Sequence, residues 1–333
     1  MDDIQPTKLF LKNNQSPGDI LMLTAAVRDL HRAHPGKYLT NFKGSCKEIW
    51  NHNPHITYFK EEDADIVLDC KYSELIGHSN QWAYHFIHGF HFFLEKELGI
   101  RIPCTDFKAD IHLSNDEKRW VNQVSESGEK RKFWIINAGG KFDFTSKFWK
   151  SEYYQEVVDH FKDRILFVQV GKKDHFHPKL KGAIDLIGKT TLRQYIRLFY
   201  HSIGVLCPIT CAMHLAQAVP SKHNLKNRPC VVVATGMEPP HWEKYPTHKY
   251  ITRAGTMSCC SNGGCWKKYC AIPYDKEIDE KKVCVNRIKA EIPEGQEEKI
   301  REMFYPKCMV DIKPKEIIEA IEEYYNGGIL EYL

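Results

Sequence analysis

The sequence predicts an α/β protein built from two doubly wound halves with a ligand cleft between them. Three observations predict it. Strand-like and helix-like segments alternate, and the alternation runs twice. A polar, charged stretch, SNDEKRWVNQVSESGEKRK (114–132), separates the two runs and reads as a helix followed by a linker. The 333 residues exceed what one average domain needs. The expected units are therefore 1–130 and 131–333. In such folds ligands lie beyond the carboxyl ends of the strands.

The elements follow in order. KLFLKN (8–13) reads as the first strand. SPGDILMLTAAVRDLHRAH (16–34) reads as a helix with Ile20, Leu23, Ala26, Val27 and Leu30 on one face. KYLTNF (37–42) is a second strand, and CKEIWNHNP (46–54) is a short helix broken at Pro54. ITYF (56–59) and DIVLDC (65–70) read as short strands. QWAYHFIHGFHFFLEKELG (81–99) reads as a long aromatic helix stopped by Gly99. In the second half KFWIINAGG (132–140) is a strand ending in a glycine loop, KSEYYQEVVDHFKD (150–163) a helix and RILFVQVG (164–171) a strand. LRQYIRLFYHS (192–202), IGVLCP (203–208), TCAMHLAQAV (210–219) and RPCVVVATG (228–236) continue as helix, strand, helix, strand. PKEIIEAIEEYYNGG (314–328) closes the chain, with Pro314 near its start and Gly327–Gly328 at its end.

Composition narrows the class. Hydrophobic residues make up 42% and charged residues 27%, which excludes long disorder and fibrous scaffolds. No run approaches the roughly 18 apolar residues of a membrane span. MDDIQPTKLF is acidic and then polar, unlike an export signal, and the expected location is cytoplasmic. A net charge of +4 permits a phosphate-rich partner without demanding one.

Three strand-to-helix turns carry the chemistry. In SPGDI, Ser16 and Gly18 open the first helix and Asp19 sits at its mouth. Asp19 is either a cap or a carboxylate aimed at a substrate hydroxyl; a helix N-terminus favours its ionised form. The second turn, INAGGKFDFTSKFW (136–149), offers Gly139, Gly140, Thr145, Ser146 and the cations Lys141 and Lys147. Glycine-exposed N–H groups plus lysine suit a diphosphate, although neither a dinucleotide fingerprint nor a Walker loop is present. The third turn, PITCAMHLAQAV (208–219), gives a helix capped by Thr210, with Cys211 beside the cap and His214 one turn in. His85, His88 and His91 share one face of the aromatic helix and read as acceptor-facing or solvent-facing side chains rather than metal ligands.

Four segments together resemble glycosyltransferase family 9, whose best-known members are ADP-heptose:lipopolysaccharide heptosyltransferases. They are Gly18-Asp19-Ile20-Leu21 with TAAVRDLHRAHP, IINAGG with Lys147-Phe148-Trp149, DLIGKTTLRQ (185–194), and MHLAQAV (213–219). The resemblance spans most of the chain. It implies a GT-B fold of two facing Rossmann-like domains and inverting transfer, without a catalytic metal, from a nucleotide diphosphate sugar. By resemblance Asp19 matches the base, Lys147 the phosphate-contacting lysine, and Thr210 and His214 the donor-diphosphate helix. Gly188, Lys189, Thr190 and Thr191 match the turn near the nucleoside. The first domain would hold the acceptor near Ser16, Gly18, His85 and His88. The family's usual Asp-Thr-Gly before M-H-L-A is replaced by Ile209-Thr210-Cys211, and the proline of N-P-G is Ala138.

Six of the twelve cysteines crowd the last quarter: Cys259, Cys260, Cys265, Cys270, Cys284 and Cys308. Few apolar residues surround them, and Gly263–Gly264 permits a tight turn, so a tetrahedral thiolate site for zinc or iron is expected in an insertion at about 257–310. Cys260, Cys265, Cys284 and Cys308 are the favoured ligands, with Cys259 and Cys270 in reserve. The cluster resembles the cysteine-rich metal finger of autotransporter heptosyltransferases. A fully thiolate site leaves no open position, so its role is structural.

The expected activity is inverting glycosyl transfer to a hydroxyl of a glycan, lipopolysaccharide, a protein or a hydroxylated DNA base. Lys141, Lys147, Lys150, Lys267, Lys268, Lys281 and Lys282 keep DNA among the acceptors. The alternative is a non-catalytic GT-B-like binding module stapled by a structural metal, which the altered Ile209-Thr210-Cys211 triplet favours.

Overall fold

The computed structural model describes residues 5–332; the acidic residues at the very start lie outside them. Strand β1 (Thr7–Asn13) leads into helix α1 (Pro17–Ala33). Pro17 pre-sets the first helical turn, and every residue from Ile20 to Leu30 is buried. A helix buried all round must lie between layers. One side of α1 covers the first sheet; another meets the second half of the molecule. Strands β2 (Tyr38–Gly44) and β3 (Ile66–Asp69) flank β1 in a parallel three-stranded sheet of order β2-β1-β3.

Two sequence expectations fail here for identifiable reasons. The strand expected at 56–59 is a single bridge between Thr40 and Ile56. The Asn41 side chain donates to the Phe59 carbonyl at 2.7 Å, and this replaces the ladder. Helix α2 (Ser73–Gly77) follows, and the long aromatic helix is α3 (His88–Leu98), shorter than the expected 81–99. In the missing turns, donors that a helix would use are taken elsewhere. The Phe86 N–H donates to the Trp242 carbonyl at 2.9 Å, and the Ile87 N–H donates to Nδ1 of His85 at 3.0 Å. Helices α4 (Asn115–Arg119) and α5 (Gln123–Glu126), capped by Ser114 and Asn122, lead to the second sheet.

That sheet is laid down by β4 (Phe133–Ile136), α6 (Ser151–Phe161), β5 (Leu166–Gln169), β6 (Ile184–Asp185), α7 (Leu192–His201), β7 (Gly204–Pro208), α8 (Cys211–Ala218), β8 (Cys230–Ala234), α9 (Pro240–Glu243) and β9 (Lys249–Thr252). Its order is β6-β5-β4-β7-β8-β9, all parallel. Strands β4, β5, β7 and β8 are buried at every residue, as central strands covered on both faces must be. Their side chains alternate between two cores. Val205, Cys207 and Val232 pack with α7, α8 and α1, whereas Leu206, Val231 and Val233 pack with α6 and the closing helix.

The cysteine-rich segment forms two small antiparallel pairs: β10 (Ile272–Pro273), β11 (Arg287–Lys289), β12 (Ile300–Glu302) and β13 (Phe304–Pro306) pair as β10–β12 and β11–β13. Helices α10 (Lys307–Val310) and α11 (Pro314–Asn326) return the chain to the second sheet. The segment has a core of its own, in which Phe142, Phe148 and Phe176 meet Ala271, Ile300 and Tyr305.

Polar contacts tie the halves together. Arg193 on α7 bonds Glu117 at 2.6 Å and also reaches the carbonyls of His112 and Glu48. Asn80 clamps the cysteine-rich segment: its amide donates to the Gly264 carbonyl at 3.0 Å and accepts from the Gly264 N–H at 2.8 Å.

Candidate active site

The cleft is built around the start of α1. Ser16 is in extended conformation, and its N–H donates to Oδ2 of Asp19 at 2.9 Å. Asp19 is thus a cap, and its second oxygen is used elsewhere: the Tyr72 hydroxyl donates to Oδ1 at 2.5 Å. Burial raises the Asp19 carboxyl above its ordinary value, against the pull of Tyr72, Ser16 and Lys141. The helix N-terminus was expected to lower it; loss of water outweighs that dipole. Lys141 crosses from the second half, and its Nζ donates to Oγ of Ser16 at 2.6 Å.

Helix α8 starts opposite. Thr210 caps it, accepting from the Ala212 N–H at 3.3 Å, and Cys211 lies half-buried beside the cap. His214 is buried against the first half: a Cβ on Gly18 would sit 3.4 Å from its ring. Its Nδ1 shares a 2.8 Å hydrogen bond with the Tyr245 hydroxyl, and its Nε2 lies 3.5 Å from Oε2 of Glu243. Burial lowers the His214 value well below the usual range, so the ring is neutral.

Lys147 does not stand free. Its Nζ pairs with Oε1 of Glu238 at 2.5 Å, and both groups are largely buried. Glu243 lies nearby, pushed well above the carboxylate range by burial and by Glu238. Oε2 of Glu238 and Oε2 of Glu243 are buried and make no hydrogen bond among the described residues. Sequence reasoning missed Tyr72, Glu238 and Glu243.

The other expected residues divide. Gly139 has φ +97° and lies against the Phe176 carbonyl, a position only glycine fills easily. The Gly140 N–H donates to that same carbonyl at 2.9 Å. The hydroxyls of Thr145 and Ser146 turn away from the cleft. Thr145 bonds the Ala271 carbonyl at 2.7 Å and the Cys270 N–H at 2.8 Å, and Ser146 Oγ contacts Sδ of Met237. The Thr145 bonds fasten the lysine-bearing loop to the cysteine-rich segment. Gly188 takes φ +67°, Lys189 donates to the Asp185 carbonyl, and Thr191, next to Thr190, caps α7. His85 is buried among Phe107 and Tyr245, and burial lowers it to about 3. His88 is half-buried at the start of α3. A wider opening lies at the carboxyl ends of β1 and β3: a cavity of about 670 Å³ lined by Asn13, Gln15, Asp69, Lys71, Tyr72 and Ser73, among others.

Cys259, Cys260, Cys265, Cys284 and Cys308 line a cavity of about 10 Å³, the room of a single atom. N–H groups aim at the sulfurs: Gly255 at Cys260 and Asn286 Nδ2 at Cys259, each at 3.3 Å, and Gly236 at Cys308 at 3.5 Å. Such donors favour thiolates, and the donor set fits zinc or iron. Cys270 is buried outside this lining and donates to Cys284, whose thiol falls to about 7. Asp29, His91 and Cys104 also lie within 4.8 Å of one another. There Asp29 already accepts from Nε and Nη2 of Arg28 and from His91, each at 2.9 Å, and from Thr105. Burial opposes its ionisation, but these donors hold it well below the carboxylate range. That group is a buried ion-pair network with its charge already balanced. Among the described residues no helix is long and apolar enough to cross a membrane.

Comparison with known proteins follows the same lines. The structure resembles a glycosyl transferase family 9 protein from Veillonella parvula, with TM-score 0.63 and 13% identity over 98% of this chain and 99% of that one. It resembles E. coli ADP-heptose LPS heptosyltransferase II, with TM-score 0.57 and 14% identity over 97% and 100%. It also resembles the dodecameric, iron-containing heptosyltransferase TibC in complex with ADP-D-β-D-heptose, with TM-score 0.61 and 12% identity over 97% and 78%; TibC comes from enterotoxigenic E. coli H10407. These likenesses show the GT-B-like fold. No curated protein matches the sequence. The sequence pattern of glycosyltransferase family 9 (heptosyltransferase) matches residues 54–224, just over half of the chain. That match decides between enzyme and binding module: the chain belongs to glycosyltransferase family 9 and is a glycosyltransferase.

Proposed function

We propose that the protein moves a sugar, with inversion, from a nucleoside diphosphate sugar to an acceptor hydroxyl. ADP-heptose is the first donor to try, because TibC was solved with ADP-D-β-D-heptose. The observation that carries the reading is one meeting of opposites. A half-buried carboxylate, Asp19, stands where Lys141 and the capped start of α8 reach the first half, with Lys147 in the same second-half loop as Lys141. Residues 1–130 would bind the acceptor and 131–333 the donor.

The chemistry follows. Asp19 takes the proton of the acceptor hydroxyl as its oxygen bonds to the anomeric carbon. The bond from that carbon to the diphosphate oxygen breaks on the opposite face, which inverts the centre. The nucleoside diphosphate leaves with the bonding pair. Lys147, Lys141 and the N–H groups at the start of α8 stabilise its growing charge. Neutral His214 and Tyr245 pack behind that helix start and hold it in place. The acceptor hydroxyl enters from the 670 Å³ opening beside Tyr72. A glycan, lipopolysaccharide, a protein or a hydroxylated DNA base would each supply it.

We also infer one structural metal, iron or zinc, held by Cys260, Cys265, Cys284 and Cys308, with Cys259 as the alternate. TibC is iron-containing, which supports iron first. The twelve cysteines are not joined to one another as disulfides, and we place the protein in a reducing, cytoplasmic setting.

The test is donor binding followed by turnover. A nucleotide sugar at 100 times its dissociation constant should raise stability by about 2.7 kcal/mol. A panel of ADP, UDP, GDP and CMP sugars will show which base is selected. Absence of any shift with metal-replete protein would overturn the donor assignment. A DNA acceptor would reveal itself by steep loss of activity with salt.

A further inference from the structure

We propose that Tyr72 is the positioning residue of the transfer. Its hydroxyl, held in an aromatic box drawn from both halves of the molecule, fixes one oxygen of Asp19 at the inner wall of the acceptor opening. The inference rests on Asp19 acting as the base.

Three observations carry it. Tyr72 donates to Oδ1 of Asp19 at 2.5 Å, while the Ser16 N–H holds Oδ2 at 2.9 Å. With both oxygens held, the carboxylate cannot rotate, and each oxygen keeps one lone-pair direction for an incoming hydroxyl. Next, the ring itself is fixed. Phe86 and Phe90 pack edge-on against it at 4.9 and 5.3 Å, and Trp242 of α9 closes the box at 6.4 Å. The backbone of α3 leaves room for it only because residue 89 is glycine: a Cβ there would come within 2.8 Å of the Tyr72 Cβ. Finally, Tyr72 lines the 670 Å³ cavity, so the group that holds the base also borders the space from which an acceptor arrives.

Trp242 belongs to the second half and Tyr72 to the first. The base is therefore fully oriented only when the halves meet, which ties base geometry to closure of the cleft. The other charged or titratable groups facing Asp19 are Lys141 from the second-half loop and Glu243, with Glu238, from the segment around α9. His214 of α8 is neutral. Tyr72, the Ser16 N–H and Lys141 favour the carboxylate; burial opposes it. Removing the Tyr72 hydroxyl should raise the pH at which Asp19 ionises.

The experiment compares wild type, Tyr72→Phe and Gly89→Ala. Tyr72→Phe keeps the ring and drops the hydroxyl; Gly89→Ala keeps the hydroxyl and displaces the ring. Two readouts are taken: release of ADP from ADP-D-β-D-heptose with water as acceptor, and titration of the Asp19 carboxyl by carbon-13 NMR. Both variants should move the Asp19 titration and the acid limb of turnover upward by about one pH unit. Plateau kcat should fall about tenfold, with donor KM unchanged. An Asp19 titration that stays at its wild-type pH in both variants would overturn the proposal. Asp19→Asn separates the two ideas. If it turns over like wild type, Asp19 is not the base, while the NMR titration still reports whether Tyr72 holds it. Melting curves confirm that each variant is folded.

Discussion

Two helix N-termini meet in the cleft, and they are furnished differently. Helix α1 presents an acid: Asp19 caps Ser16 and is held by Tyr72, with Lys141 as its neighbour across the gap. Helix α8 presents none. Thr210 caps it, Ile209 precedes it buried, and the nearest carboxylates, Glu238 and Glu243, come from the loop after β8 and from α9. A bare N-terminus attracts anions; one that carries its own carboxylate has already satisfied that attraction. On the proposed mechanism the difference would give each end one task, proton acceptance at α1 and an anion seat at α8, and would keep the acid from competing with a diphosphate for the same N–H groups.

The largest effect should come from the acid end. Asp19→Asn should cost about 10²- to 10⁴-fold in turnover while ADP affinity stays near wild type. Equal losses in both would mean that α1, too, contacts the donor. The anion seat is probed by Lys147→Met, which should lower turnover about 10²- to 10³-fold and weaken ADP binding without moving the acid limb of the pH profile. That variant also strands Glu238, so stability should drop by about 3 kcal/mol or more, and adding Glu238→Gln should restore part of it. Denaturant titration of the single and double variants measures this.

A pH–rate profile sharpens the comparison further. Because burial raises the Asp19 carboxyl, activity should climb with pH through a value above the ordinary carboxylate range and then level off. His214, lowered well below its usual value, should contribute no limb near neutrality. The smallest effect belongs to the cap. Thr210→Ala should cost about 1 kcal/mol of stability and weaken ADP binding modestly. Metal removal tests the support behind both ends. Chelation should lower the melting temperature and loosen the loop at 141–149, read as faster amide exchange there.

Much of this was legible because it is local. Hydrophobic period and turn residues mark α1, β4, α7, β7, α8 and β8, and four short segments carry the family likeness. What stayed hidden depends on contacts between distant segments. The N–H groups of 81–87 suit a helix until the Trp242 carbonyl and the His85 ring claim two of them. Tyr72 is unremarkable in the sequence, since only tertiary approach brings its hydroxyl to Asp19. Thr145 and Ser146 belong to a loop whose composition suits phosphate, yet the cysteine-rich segment takes the Thr145 hydroxyl and Met237 the Ser146 hydroxyl. Lys147 was visible; that Glu238 would already occupy it was not.

The Asn80 clamp has a consequence for biosynthesis. Its partner, Gly264, lies 184 residues further along the chain. At about 5–20 residues per second, the surface at 78–87 waits on the order of 10–40 s on the ribosome before the segment that covers it exists. Until Trp242 is made, Tyr72 and Phe86 stand without the ring that packs on them at 6.4 and 5.4 Å in the finished molecule. A nascent chain that carries this aromatic face uncovered until a distant segment is made has reason to depend on a chaperone.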